Sequence, residues 1–130
     1  MNINKTEIRI RYADTDHFGV VYYANYLNFF EAGRTEILRE NGISYKEYEE
    51  KGFFAPVVHV EVDYKCSARY DDLIEIETKI EKIGNSSVHF AYIVRNKSDN
   101  CILVTAKTIN VFIKKSGEKI SVPEEIRKII

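Results

Sequence analysis

Polar and apolar residues alternate from Thr6 to Tyr12, with Ile8, Ile10 and Tyr12 set against Glu7, Arg9 and Arg11, the pattern of a half-buried strand. From Tyr23 to Asn41 the period changes. On a helical wheel Tyr23, Tyr26, Leu27, Phe30, Gly33, Ile37 and Leu38 share one side, and Gly42 supplies a stop. That spacing predicts a helix of about five turns. Ser44 and Glu47 make a capping box for a short helix ending at Gly52. Four more alternating stretches follow: Val58 to Cys66, Leu73 to Ile83, Val88 to Arg95 and Cys101 to Ile113. Asp71-Asp72, Gly84-Asn85 and Ser98-Asp99-Asn100 separate them with turn chemistry. Pro123, at a first helical position, opens a C-terminal helix through Ile130.

Connections this short make the strands antiparallel neighbours. Charges such as Glu75, Glu77, Lys79 and Glu81 face outward. The expected fold class is α+β, one long helix wrapped by a curved antiparallel sheet of about five strands. No repeat, low-complexity run or linker divides the chain, so residues 1–130 read as a single domain. The far side of the helix, with Asn25, Asn28, Thr35 and Arg39, must meet solvent or another subunit.

The 130 residues and 15.1 kDa exclude a multidomain enzyme and make a deep private pocket costly. A net charge of −1 gives no field for nucleic acid or an anionic membrane surface. Nowhere is there an apolar run long enough to span a bilayer, and Met1 to Ile10 lacks a signal-peptide pattern. A cytoplasmic protein is expected. Cys66 and Cys101 have no metal-ligand spacing and are expected as buried free thiols. The aromatics are unevenly spread: Tyr12, Phe18, Tyr22, Tyr23, Tyr26, Phe29 and Phe30 crowd the stretch around the first strand–helix connection.

That connection reads Asp14-Thr15-Asp16-His17-Phe18-Gly19-Val20-Val21-Tyr22-Tyr23. It places two carboxylates upstream of a helix start, whose unpaired N–H groups carry partial positive charge. A carboxylate there can act as nucleophile or base while first-turn N–H groups stabilise an oxyanion. A lone aspartate in such a place ordinarily caps the helix or orders an Asx turn, and Asp14 is read that way. Asp16 stands seven residues before Tyr23, too far for a cap, with Gly19 available for a sharp bend. Arg34 falls inside the apolar stripe and must find a carboxylate, carbonyls, solvent or an interface. Glu31, at the stripe's edge, is either a surface residue or a partly desolvated carboxylate able to orient water or substrate. His17, His59 and His89 are scattered, no serine or cysteine sits in a nucleophile elbow, and no phosphate-binding glycine motif occurs.

Asp14-Thr15-Asp16, Gly19-Val20-Val21-Tyr22, Asn25-Tyr26, Phe30-Glu31 and Arg34 closely resemble the signature of the 4-hydroxybenzoyl-CoA thioesterase family of hotdog-fold proteins. They are most similar to its acyl-CoA thioesterase branch associated with the Tol-Pal cluster. The motif is specific over residues 8 to 42, and the resemblance in layout extends over nearly the whole chain. It implies a hotdog fold and hydrolysis of an acyl-CoA thioester with no metal or prosthetic group. Asp16 is carried over as the catalytic carboxylate and the backbone N–H of Tyr23 as the oxyanion donor. Relatives of that branch often have histidine where Tyr23 stands, a departure that leaves a backbone donor intact.

Phe18 and Tyr22 bracket the Asp16 loop and are candidates, with Glu31, for binding substrate, while Lys65 and Arg69 are candidates for the CoA phosphates from their place beside a strand end. Family resemblance also implies a homodimer or homotetramer with sites between subunits, which suits a small chain with an exposed sheet edge. Two alternatives stand beside hydrolysis. One is a non-catalytic module binding acyl-CoA or acyl-carrier protein. The other is a hotdog dehydratase, ranked last because Tyr23 to Asn41 holds no histidine.

Overall fold

A computed structural model describes residues 2–130. In chain order the elements are β1 (Ile3–Arg9), α1 (Tyr26–Glu40), α2 (Tyr45–Glu50), β2 (Phe53–Phe54), β3 (Val57–Tyr64), β4 (Leu73–Ile83), β5 (Ser87–Asn96), β6 (Ile102–Val111), β7 (Ile113–Lys114) and α3 (Glu124–Arg127). Five strands form one antiparallel sheet in the order β1-β4-β5-β6-β3, and β2 pairs with β7 in a separate small ribbon. The α+β arrangement of one long helix on a five-stranded sheet is the one expected from the sequence.

In β4 the alternation works residue by residue: Ile74, Ile76, Thr78 and Ile80 are buried under the helix, and the charged residues between them face out. On that outer face Glu77–Arg95 (2.9 Å) ties β4 to β5, Glu75–Lys97 (3.3 Å) ties β4 to the residue just past β5, and Glu81–Lys107 (3.4 Å) reaches across β5 from β4 to β6. Asp71 and Asn100 take positive φ at the turns their sequence marks. Helix α1 closes the other side. Phe30 is fully buried and stacks on Tyr92 of β5 with ring centroids 4.5 Å apart. Gly33 lets the helix backbone sit on β4, since a Cβ there would collide with Thr78 Oγ1 and lie 3.3 Å from Ile76.

Several boundaries differ from the sequence expectation for identifiable reasons. β1 ends at Arg9 because the Arg11 N–H is taken by the Asp14 carboxylate (2.8 Å), which turns the chain into a 3₁₀ turn at Tyr12–Asp14. The long helix opens as a 3₁₀ turn, Tyr23–Asn25. That tighter start, three residues per turn, carries Tyr23 out of the stripe. Tyr23 and Leu27 are exposed, and Phe29 takes the buried place. The last long strand breaks at Phe112, whose N–H goes to the Ser86 carbonyl. After Pro123 only Glu124–Arg127 is helical. Cys66 is exposed and Cys101 half-buried, not buried as expected, because both lie beyond strand ends where no layer covers them.

Edge strand β3 stands apart. Val58, Val60, Val62 and Tyr64 alternate with His59, Glu61 and Asp63, yet Val58, Val60 and Tyr64 are 60%, 39% and 48% exposed. Val62 is half-buried against the core and the Tyr64 ring meets Tyr23 and Tyr26, so among the described residues the apolar face is only partly covered.

Candidate active site

The loop between β1 and α1 is built on Asp14. Its buried carboxylate accepts from the Arg11 N–H (2.8 Å) and the Arg11 guanidinium (3.0 Å), and its carbonyl accepts from the Tyr22 N–H and Asn25 Nδ2, both at 2.9 Å. Asn25 therefore clamps the loop, where helical periodicity alone turns it to solvent or another subunit. Burial pushes the Asp14 carboxyl up, but hydrogen bonds from Arg11 and its positive charge outweigh that and leave it below the usual aspartate value. A carboxyl depressed in the folded state contributes stability at neutral pH that is lost as pH falls through its folded value. Urea unfolding at pH 7 and near pH 3 is expected to show a larger acid loss for the native chain than for Asp14→Asn.

Asp16 sits in the tight reversal beyond. Its N–H donates to the Val20 carbonyl (2.9 Å), its carbonyl accepts from Gly19 N–H (3.0 Å), and Gly19 takes φ +78°, a left-handed conformation suited to glycine. Asp16 Oδ1 accepts from the Phe18 N–H at 2.9 Å, an Asx turn, while Oδ2 has no partner among the described residues. The loop rests on the segment after β3: Val21 N–H donates to the Ala68 carbonyl (2.8 Å), and Val20 bridges to Arg69.

Tyr23 opens the 3₁₀ turn, where a first-turn N–H has no acceptor inside the helix, and this amide has no other partner among the described residues. Its carbonyl accepts from the Tyr64 hydroxyl at 2.9 Å. Rings of Tyr22, Tyr23 and Tyr64 follow one another, with centroid distances of 4.8 Å and 6.3 Å. A hydrogen bond with Tyr23 pushes the Tyr22 phenol upward, as do that residue's charge, burial and finally the charge on Asp16.

Of the residues singled out by sequence, Asp16, Phe18, Tyr22, Tyr23 and Arg69 share this corner. Phe18 is exposed, and the Arg69 guanidinium lies beside Gly19 with no ion pair among the described residues. Lys65 is exposed near the end of β3, its N–H donating to Leu103 O (2.8 Å). Glu31 is elsewhere: it is exposed and lines a cavity of about 270 Å³ with Arg34, Thr35, Val57, Phe90 and Asn110. Arg34, for which a carboxylate, carbonyls, solvent or an interface was open, is half-buried and donates to the Tyr92 hydroxyl (3.0 Å), which itself bonds Thr108 at 2.6 Å. Asn110 is buried; its Nδ2 donates to the Ala55 carbonyl (2.7 Å), and its Oδ1 has no partner among the described residues. Neither Tyr64 nor Asn110 had a signal in the sequence, because each owes its place to strand register.

Residues 10–130 match the family model described as the thioesterase-like superfamily. The acyl-CoA thioesterase YbgC of Haemophilus influenzae is 32% identical over 123 residues, 92% of this chain and 88% of the relative. Among solved structures, the DHNA-CoA thioesterase of Staphylococcus aureus superposes with a TM-score of 0.90 at 32% identity, covering 93% of this chain and 81% of that one. A 4-hydroxybenzoyl-CoA thioesterase complexed with 4-hydroxybenzoyl-CoA gives 0.89 at 25% identity and 99% of both chains. With this fold and this loop, the chain belongs to the thioesterase-like superfamily of hotdog proteins.

Proposed function

We propose that this thioester hydrolase acts on acyl-CoA, with Asp16 as the carboxylate that attacks the thioester carbonyl or activates water and the Tyr23 N–H as oxyanion donor. The observation that carries the assignment is the pairing, in one corner, of a carboxylate oxygen and a helix-start amide that both lack a partner among the described residues. The relatives named as acyl-CoA thioesterases support the substrate class. Hydrolysis by this route gives a free acid and CoA and calls on no group beyond these residues and water.

The site is completed by a second copy. β3 is an edge strand with a partly exposed apolar face, and the free backbone N–H and C=O groups of such an edge pair with another strand unless protected. Antiparallel pairing of two β3 edges about a twofold axis sets the Tyr64 end of one chain against the Val57 end of its partner. Tyr64 touches Tyr23 beside the Asp16 loop, and Val57 borders the Glu31 cavity. The acyl group then enters the partner's cavity, with Glu31 at its mouth, while Phe18 and Tyr22 border the thioester and Lys65 and Arg69 receive the CoA phosphates. Light scattering at micromolar concentration is expected to give at least twice the 15.1 kDa chain mass; Val60→Asp should yield monomers with most turnover lost.

Within the class, the finer reading follows the resemblance to the 4-hydroxybenzoyl-CoA and Tol-Pal-associated branch, acting in the cytoplasm. The cavity's size and the Asn110 Oδ1, which has no partner among the described residues, favour a compact acyl or aroyl group carrying a hydrogen-bond donor. CoA release from short aliphatic, benzoyl, 4-hydroxybenzoyl and long-chain thioesters tests both levels. Turnover of the compact members supports the assignment. Saturable binding with no release from any of them would favour the non-catalytic binding module instead.

A further inference from the structure

We propose that Cys66 and Cys101 form a dithiol redox site, closing to an intrachain disulfide on reaction with a hydroperoxide. The two residues are far apart in the chain, one just past β3 and the other just before β6, and their Sγ atoms lie 3.5 Å apart. A disulfide needs about 2 Å, so the remaining approach is on the scale of a side-chain rotation. Both backbones are already held: Cys66 N–H donates to the Leu103 carbonyl (3.1 Å), Cys101 N–H to Asp99 Oδ1 (2.9 Å), and the Cys101 carbonyl accepts from Asn96 N–H (3.0 Å). Cys66 is exposed, so a small oxidant reaches it first.

The order of events follows from the contact. The Cys101 S–H donates to Cys66 Sγ, and that bond, with burial, pushes the Cys101 thiol up, which leaves the exposed Cys66 as the sulfur that meets the peroxide. The Cys66 thiolate attacks a peroxide oxygen; an S–O bond forms, the O–O bond breaks, and the departing oxygen takes a proton to leave as water or an alcohol. The product at Cys66 is a sulfenic acid. Cys101 sulfur then attacks Cys66 sulfur, an S–S bond forms, and the S–O bond breaks, with the hydroxide taking the Cys101 proton and leaving as water. Two thiols are oxidised by two electrons and one peroxide is reduced. The bond would fasten the segment 66–69, against which Val20 and Val21 of the Asp16 loop are hydrogen-bonded.

The experiment treats the full chain with equimolar hydrogen peroxide and reads thiols rather than hydrolysis, so it stands or falls separately from the proposed function. The expected result is loss of both titratable thiols, a mass lower by two hydrogens, a single-chain band on a non-reducing gel, and full reversal by dithiothreitol. Cys101→Ser should stop at a Cys66 sulfenic acid trapped by dimedone, whereas Cys66→Ser should label far more slowly. Two thiols still titratable after treatment, their loss only into cross-linked dimers or higher oxides, or equal labelling of the two variants would overturn the proposal.

Discussion

Asp16→Asn is expected to lower kcat for CoA release by roughly 10²–10⁴-fold, the contribution of a positioned base or a lost nucleophile. The fold should be left nearly unchanged. Asparagine keeps the Oδ1 acceptor, so the bond from the Phe18 N–H at 2.9 Å survives and the loop retains its turn. What disappears is the negative charge at Oδ2, the oxygen without a partner among the described residues. A merely structural aspartate behaves in the opposite way, losing ~1 kcal/mol of stability and little turnover. Asp14→Asn supplies that contrast, because the Asp14 carboxylate is consumed by Arg11. Its cost should appear in the urea midpoint, with kcat per folded molecule changed far less than by Asp16→Asn. Equal kcat losses in the two variants would remove the distinction between the loop's anchor and its reactive group.

Phe30→Ala should cost about 3–5 kcal/mol, the range for emptying a large aromatic site in a core, and lower the melting temperature by roughly 10–20 °C for a chain of this size. Phe30 is fully buried, and its ring stacks on Tyr92, whose hydroxyl holds both Thr108 and Arg34. Truncation therefore opens a void where helix meets sheet and loosens the support of a cavity residue as well. Phe30→Leu, which fills more of that space, should recover a good part of the loss. Thermal unfolding monitored by circular dichroism distinguishes these outcomes, and a Phe30→Ala variant melting within a few degrees of the native chain would contradict the packing described.

Those two residues also mark what the sequence made legible. Phe30 belongs to a 3.6-residue period, and β4 to a period of two; such patterns survive in one dimension because burial on one face imposes them. Asp16, the proposed carboxylate, stands out in the sequence because spacing separates it from a capping role, and because its neighbours resemble a family signature. Tyr23 was placed in the apolar stripe since periodicity assumes a uniform α-helix, whereas a 3₁₀ start turned it outward. The Cys66–Cys101 approach, the Arg34–Tyr92 bond and the Tyr64–Tyr23 contact all depend on which strands are neighbours and in what register. No local pattern encodes that. The exposed apolar residues of β3 are a different case: the alternation predicted a strand correctly, and the cover proposed for them is a second copy, which no pattern within one chain encodes.

The most direct measurement is a structure of Asp16→Asn with an intact acyl-CoA, the substitution being chosen so that the thioester survives. It should place the thioester carbonyl oxygen about 2.7–3.1 Å from the Tyr23 nitrogen, its carbonyl carbon facing the side chain at position 16, and the acyl group in the Glu31 cavity of a second copy. A thioester bound away from the Asp16 loop, or a carbonyl oxygen held by groups other than the Tyr23 N–H, would contradict the account.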